Sequence, residues 1–289
     1  MKQLPVKTLF ESISVIKDPR IDRHKLHSLT DILMIAICAT ICGVETWTEI
    51  EDFGEAKHEW FSTFLELENG IPSHDTFRRV FSLLDTSELK ECFLDSISSA
   101  VSLARGSLVH IDGKQIRGSK SVAHNRTALN LVSAWASEQS VVLGQVACQE
   151  KSNEIRAIPE LLKILELAGC IITIDAMRCQ KQIVKEITEK AADYIISLKG
   201  NQGTLPAEVK EYLDWAERIK FKDIKYDSYE RLEKGHGRIE QRRCWMTTEI
   251  GWLEQKDEWK NLKSVIMVQA KREVIGGQKT TERRYFISS

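Results

Sequence analysis

Asp112 and Asp175 each close a short apolar run, Leu-Val-His-Ile-Asp and Ile-Ile-Thr-Ile-Asp. A carboxylate at the carboxyl end of a strand stands where open α/β sheets hold their ligands. If the two strands are parallel neighbours, these acids from distant parts of the sequence meet side by side. Two anions brought together repel each other unless a cation compensates, and hard oxygen donors suit Mg²⁺ or Mn²⁺. Two such ions about 4 Å apart clamp the attacking and leaving oxygens of an in-line phosphoryl displacement. The same placement also serves aspartates that merely end strands and open turns, so spacing alone leaves both readings open.

The elements that must position these acids change character near residue 105. Up to about residue 100 the periodicity is helical: Trp47, Ile50 and Phe53 recur at three-residue intervals, and Phe77, Val80, Phe81 and Leu84 follow an i, i+3, i+4, i+7 pattern. Pro72 and Ser73 announce the second of these helices, with Ser73 as N-cap and Asp75 in the first turn, where the helix dipole favours negative charge. Arg78 and Arg79 point away from the Phe77 stripe, either as solvated arginines or as phosphate contacts of a small helical DNA-binding module. Beyond residue 105, Leu108–Asp112, Ala128–Ala136 and Val141–Cys148 read as the strands of an antiparallel meander. A helix over Ile155–Leu167, a fully apolar buried strand over Cys170–Asp175, a helix over Gln180–Lys190, a buried strand over Asp193–Leu198 and a helix over Pro206–Ile219 follow. The order β-β-β-α-β-α-β-α predicts a mixed α/β sheet with helices on its faces, which is the element order of the ribonuclease-H-like fold.

Composition narrows the functional classes. The 289 residues, 42% hydrophobic and 29% charged, are enough for one large domain or two smaller ones, with no repeat or low-complexity tract. The longest apolar run, residues 32–42, is about half of what a membrane span needs. The N-terminus lacks the apolar core of a secretory signal, so the expected compartment is the cytoplasm. Seven scattered cysteines with no C-x-x-C pair indicate neither a disulfide framework nor a zinc site, and Cys38 and Cys42, one helical turn apart, read as core packing. The net charge of −1 conceals a division: residues 1–100 sum to −7 and residues 101–289 to +6. A nucleic-acid surface is therefore expected mainly in the second part. No glycine-rich phosphate loop, nucleophile elbow or zinc signature points to a metabolic enzyme.

The segments HSLTDILMIAICATICG, NGIPSHDTFRRVFSLLD, IDGKQIRGS, EKSNEIRAIPELLKIL, TIDAMRCQKQIVKEI, DYIISLKGNQ and GHGRIEQRR resemble, in order, the H-repeat-associated, ISAs-type transposases of bacterial insertion sequences. The resemblance runs from about residue 10 to the last residue. It implies a helical family-specific domain over 1–104 and, over 105–289, a ribonuclease-H-like catalytic domain of the Asp-Asp-Glu superfamily carrying a strand-rich insertion. It maps the first two catalytic, metal-binding acids onto Asp112 and Asp175, the residues the strand argument reaches independently. It also implies Mg²⁺ or Mn²⁺ as cofactor and double-stranded DNA, both element ends and target, as partner, with a homodimer as a candidate assembly and no membrane.

Three readings of the third acid stay open. Glu208 and Glu211 lie 33 and 36 residues after Asp175, as in the simplest members of the superfamily. Glu240 lies in the distinctive Gly-His-Gly-Arg-Ile-Glu motif. In the third and favoured reading neither serves, because chains of this family continue past a segment like Arg-Tyr-Phe-Ile-Ser-Ser into a His-Trp-x-Ile-Glu-Asn stretch, whereas this sequence stops at Ser289; the expectation is then a C-terminally truncated, inactive copy. The chemistry implied is hydrolytic nicking at element ends, then attack of the freed 3′-hydroxyl on target DNA. Lys114, Arg117, Lys120, Lys199, Arg238 and Arg242 are the candidate DNA contacts, with Asn201 and Arg243 beside them. His110 and His236 are candidate local acids or backbone contacts, and Asn153 and Glu154 candidate supports. The rival functions are a metal-dependent nuclease using the same two aspartates and a non-catalytic DNA-binding remnant.

Overall fold

Short polar side chains open four of the helices in the first hundred residues. Ser28 accepts the backbone N–H of Asp31 at the start of α2 (Leu29–Ile41), and Thr46 and Glu49 form a reciprocal capping box on α3 (Trp47–Ala56). Ser73 accepts from Thr76 on α5 (His74–Leu83) and Asp85 from Ser87 on α6 (Thr86–Ala100). With α1 (Val6–Ser14) and the single turn α4 (His58–Phe61), these make up the helical part of the chain. The computed structural model describes every residue except 1–5, 24, 102, 117–118, 120–126, 149–153, 176–179, 201, 236 and 275–276. The chain divides into two compact units, Met1–Ser102 and Leu103–Ser289.

In the first unit α2 is buried almost all round, from Ile32 to Ile37, and packs in one core with Ile50, Phe61, Phe77 and Val80. Gly54 permits this: a Cβ there would come within 2.6 Å of the Ile71 side chain. Cys38 packs against the core as its apolar setting predicts, whereas Cys42 is exposed, because α2 ends there and Cys42 is its C-cap. Arg78 and Arg79 are exposed, Arg78 pairing with Asp75 at 3.1 Å.

The second unit begins with the antiparallel meander β1 (Leu108–Gln115), β2 (Asn130–Ala136) and β3 (Val141–Cys148). The helix α7 (Glu154–Lys163) leads to β4 (Ile171–Ile174), parallel to β1, and α8 (Lys181–Glu189) to β5 (Asp193–Ser197), parallel to β4. This is the ribonuclease-H-like order. After α9 (Leu205–Arg218) come four antiparallel strands, β6 (Asp227–Gly235), β7 (Arg238–Thr247), β8 (Ser264–Val274) and β9 (Lys279–Ser288). They form no separate module, because β9 adds antiparallel to β5 and makes one nine-stranded sheet in the order β3-β2-β1-β4-β5-β9-β8-β7-β6.

On β1, β4 and β5 the alternate residues Val109 and Ile111, Ile172 and Ile174, and Tyr194 and Ile196 are buried. Their neighbours on the other face, including Ile171, Thr173 and Ile195, are half-buried. The expectation of fully buried apolar strands is thus corrected: one face carries the core and the other stays partly open, although isoleucines occupy both. Tyr194, fully buried, satisfies its hydroxyl by donating to the Lys260 carbonyl at 3.0 Å.

α9 is fastened to β9 by a polar clamp. Asp214 accepts from Lys210 at 2.7 Å, from the Tyr285 hydroxyl at 2.6 Å and from Arg283 at 2.9 Å, while Arg283 also reaches Glu217 at 2.6 Å. Burial pushes the Asp214 carboxyl up, but the hydrogen bonds from Lys210, Tyr285 and Arg283 outweigh it and hold the acid below its ordinary value of 3.8. A depressed folded value stabilises the fold above the unfolded value, and that stabilisation is lost as pH falls through the folded one. Asp214→Asn is therefore expected to lower stability at pH 7 by roughly 1–3 kcal/mol and to flatten the decline of stability below about pH 4. Urea denaturation across pH checks both; an unchanged pH profile would remove the clamp from the account.

Candidate active site

The last paired rung between β1 and β4 is Ile111 opposite Ile174. The next residues are Asp112 and Asp175, so the two acids leave the carboxyl ends of neighbouring parallel strands, whose backbones lie about 4.8 Å apart. Strand alternation turns both away from the buried face. Asp112 is exposed and its Oδ1 accepts the Gly113 backbone N–H at 2.8 Å; Asp175 is partly exposed and its Oδ1 accepts from Lys199 Nζ at 3.0 Å. One rung behind, His110 and Thr173 stand opposite each other and hydrogen-bond through Nδ1 and Oγ1. The acids thus sit above a polar rung rather than above aliphatic side chains.

Lys199 comes from the third strand of this group. Just beyond β5, the Leu198 N–H donates to the Tyr285 carbonyl at 2.8 Å, and the Lys199 N–H donates to Gln202 Oε1 at 2.7 Å. Gln202 is buried, so its amide makes a fixed anchor. Lys114, exposed, lies on the same face of β1 as Asp112, one strand period further on. Arg117, Lys120, Asn153, Asn201 and His236, and the side chain of Glu154, lie outside the described residues.

The candidate third acids lie elsewhere. Glu208 and Glu211 line an open groove of about 590 Å³ on α9 with Tyr212, Trp215 and Trp252, and Glu208 accepts hydrogen bonds from Thr204 and from the Glu254 backbone. Glu240 is on β7, opposite Arg272 of β8, which is opposite Thr280 of β9. The strand position of Asp175 corresponds instead, through Ser197, to Phe286 of β9. Six residues along and four strands across separate the two acids, roughly 20 Å in each direction. Glu240 is held at 2.7 Å by Arg242 and at 3.8 Å by Arg272. The Arg242 hydrogen bond, reinforced by the charges of Arg272 and Arg238, keeps its carboxyl below the usual range. Strand alternation puts Arg238 and Arg242 on one face with Arg231, Arg272 and Arg284, while Arg243 turns to the other and pairs with Glu230 at 2.8 Å.

Among the described residues no group of three or more His, Cys, Asp or Glu side chains could hold a metal ion. Mg²⁺ ordinarily takes one or two carboxylates and fills its octahedron with water and substrate phosphate. The Asp112–Asp175 pair, accessible and already attracting one cation, fits that donor set. Sequence reasoning overlooked Thr173 and Gln202, and it read Lys199 as a DNA contact rather than as a partner of Asp175. Thr173, two residues before Asp175, carried a readable signal in strand period; the Lys199 pairing depends on β4 and β5 being neighbours.

Residues 103–275 match the family described as "Transposase DDE domain", and residues 10–97 match the family described as "DDE_Tnp_1-associated". The chain is 39% identical over 292 residues to the "H repeat-associated putative transposase YhhI" of Escherichia coli (strain K12), covering 99% of this chain and 76% of that protein. It is 43% identical over 288 residues to the "Uncharacterized protein in dhlA 3'region" of Xanthobacter autotrophicus, covering 98% and 94%. A shorter stretch of 79 residues, 27% of this chain, is 46% identical to the "Inactive transposase YbfQ" of Escherichia coli (strain K12).

The geometry separates Glu240 from the acid pair by a direct measurement. In Mn²⁺ titrations followed by electron paramagnetic resonance, Asp175→Asn is expected to weaken binding by at least about tenfold, while Glu240→Gln leaves it within about twofold because its partners are guanidinium groups. A loss with Glu240→Gln as large as with Asp175→Asn would place Glu240 at the metal.

Proposed function

The chain belongs to the family of transposases with a DDE domain, and on that premise we propose that it cuts and joins the DNA ends of its own insertion sequence by metal-dependent phosphoryl transfer, with Asp112 and Asp175 as the ion's ligands. The observation that carries this reading is the in-register delivery of both carboxylates to the open end of parallel β1 and β4. Such a reaction needs no covalent enzyme intermediate, so positioning and charge compensation supply the rate.

Each group then has a part. Asp112, oriented by the Gly113 N–H, and Asp175 present oxygen donors at fixed positions; Mg²⁺ or Mn²⁺, when bound, supplies Lewis-acid neutralisation of phosphate charge and activation of the attacking oxygen. Lys114 and Lys199 stand on the same side of the sheet end and hold the DNA backbone near the reacting phosphate, with Arg117 and Lys120 following in sequence. Arg238 and Arg242, on a face that also carries Arg272 and Arg284, hold duplex at a distance from the acids. These contacts position DNA without reading its sequence. Two chains, each bringing one end, form the assembly that a paired-end reaction requires.

A second reading, DNA binding without catalysis, is favoured by one observation: among the described residues no third carboxylate joins the pair. One assay separates the readings. The 289-residue protein is incubated with labelled duplexes bearing the ends of the neighbouring element and with Mg²⁺ or Mn²⁺. Nicking and strand transfer are expected in the parent, and Asp112→Asn or Asp175→Asn should reduce both by more than about 100-fold while leaving DNA binding intact. Cleavage without joining would make the protein a nuclease, and end-specific binding with no cleavage would favour the second reading. In the same binding assay Arg242→Ala should weaken association evenly across sequences and lower the salt slope by about one.

A further inference from the structure

Lys199 makes an ion pair with one of the two acids, and its placement is built rather than incidental. Its ammonium lies 3.0 Å from Asp175 Oδ1. Its backbone is fixed on both sides, by Leu198 donating to the Tyr285 carbonyl and by its own N–H donating to the buried Gln202 side chain. The strand order makes the pairing geometrically natural, since β5 lies beside β4 and both run in the same direction. A cation is thus held at the carboxylate that the proposed function assigns to the divalent ion.

Two cations cannot share one carboxylate oxygen without mutual repulsion. We propose that Lys199 is a competing counter-cation that sets the affinity of the site: it relieves the repulsion around Asp175, and a divalent ion binds by taking that oxygen from it. The ammonium, tethered at its Cα, then stays at the sheet end with its three donors free to meet a phosphate oxygen. The inference rests on the reading of Asp112 and Asp175 as metal ligands and adds to it a residue that opposes ion binding while remaining at the reaction centre. Metal binding and phosphate contact are coupled in this way through one side chain, with no movement of the backbone. The exposure of the pair, 52% for the lysine side chain and 40% for the aspartate, keeps the competition modest, because water screens both charges.

The test is the Mn²⁺ affinity of the full chain without DNA, read by electron paramagnetic resonance or calorimetry. Lys199→Met should tighten binding by about three- to tenfold. Lys199→Arg, which keeps the charge, should stay within about twofold of the parent, and circular dichroism should show both variants folded. Unchanged or weaker binding in Lys199→Met overturns the proposal, and so does equal tightening in Lys199→Arg, since charge would then not be the cause. Asp175→Asn separates this failure from that of the underlying reading. If the parent binds Mn²⁺ only with Asp175 intact, a null result at Lys199 removes the competition alone; if Asp175→Asn has no effect, or the parent binds no Mn²⁺, both are overturned.

Discussion

The pairing of β1 with β4 is the constraint on which the site depends. The residues it brings together are 63 positions apart in sequence, as the His110–Thr173 hydrogen bond within the same pairing illustrates, and their neighbourhood exists in one register alone. Side chains alternate with period two, so a slip of one residue would turn Ile172 and Ile174 outward and drive Asp175 into the core. The burial of Val109, Ile111, Ile172 and Ile174 therefore determines the direction of the acids. The hydrophobic face acts on chemistry through register: the same alternation that hides Ile174 presents Asp175.

Placing two carboxylates side by side would be costly in the interior, where an unpaired charge is neutralised or excluded. Here the strands end at the surface, water reaches both acids, and each carboxylate has a donor: a backbone N–H for Asp112 and an ammonium for Asp175. The rung beneath them is polar, His110 against Thr173, so dipoles rather than methyl groups lie behind the charges. These features let two carboxylates stand close together at the surface. Glu240, between Arg242 and Arg272, has an environment that suits charge-assisted contact with guanidinium groups more than coordination.

The meander and the strand–helix alternation were legible in the sequence because each of those elements buries at least one face, and burial imposes apolar periodicity. The aspartates were legible for the same reason, as the polar residues that end apolar runs. On β4 and β5 legibility failed at a finer level: Ile171 and Ile195 occupy the half-open face, and composition does not distinguish an isoleucine in the core from one at its margin. The strands β6 to β9 were anticipated only as an insertion implied by resemblance. Along β6 nearly every residue is exposed, so the strand is held by ladder hydrogen bonds and by cross-strand pairs such as Glu230 with Arg243 and leaves no amphipathic trace. Without that register, the cross-strand partner of Glu240, Arg272, was unreadable, and Glu240 stood as a candidate acid on its motif.

The route from those late strands back to the site is short. β9 pairs with β5 over Ile195 to Ser197, the Tyr285 carbonyl holds the N–H of Leu198, and the next residue carries the ammonium that meets Asp175. Tyr285 is in turn fixed by its hydroxyl bond to Asp214 on α9. A segment that follows the strand–helix alternation in sequence is therefore part of the support for a charge inside it, and the position of Lys199 depends on contacts made by Tyr285 of β9. This explains in physical terms why the sheet is continuous: an appended module that only held DNA could hang on a loop, whereas a strand hydrogen-bonded to β5 fixes the end of that strand, and with it the electrostatics at the end of its neighbour β4.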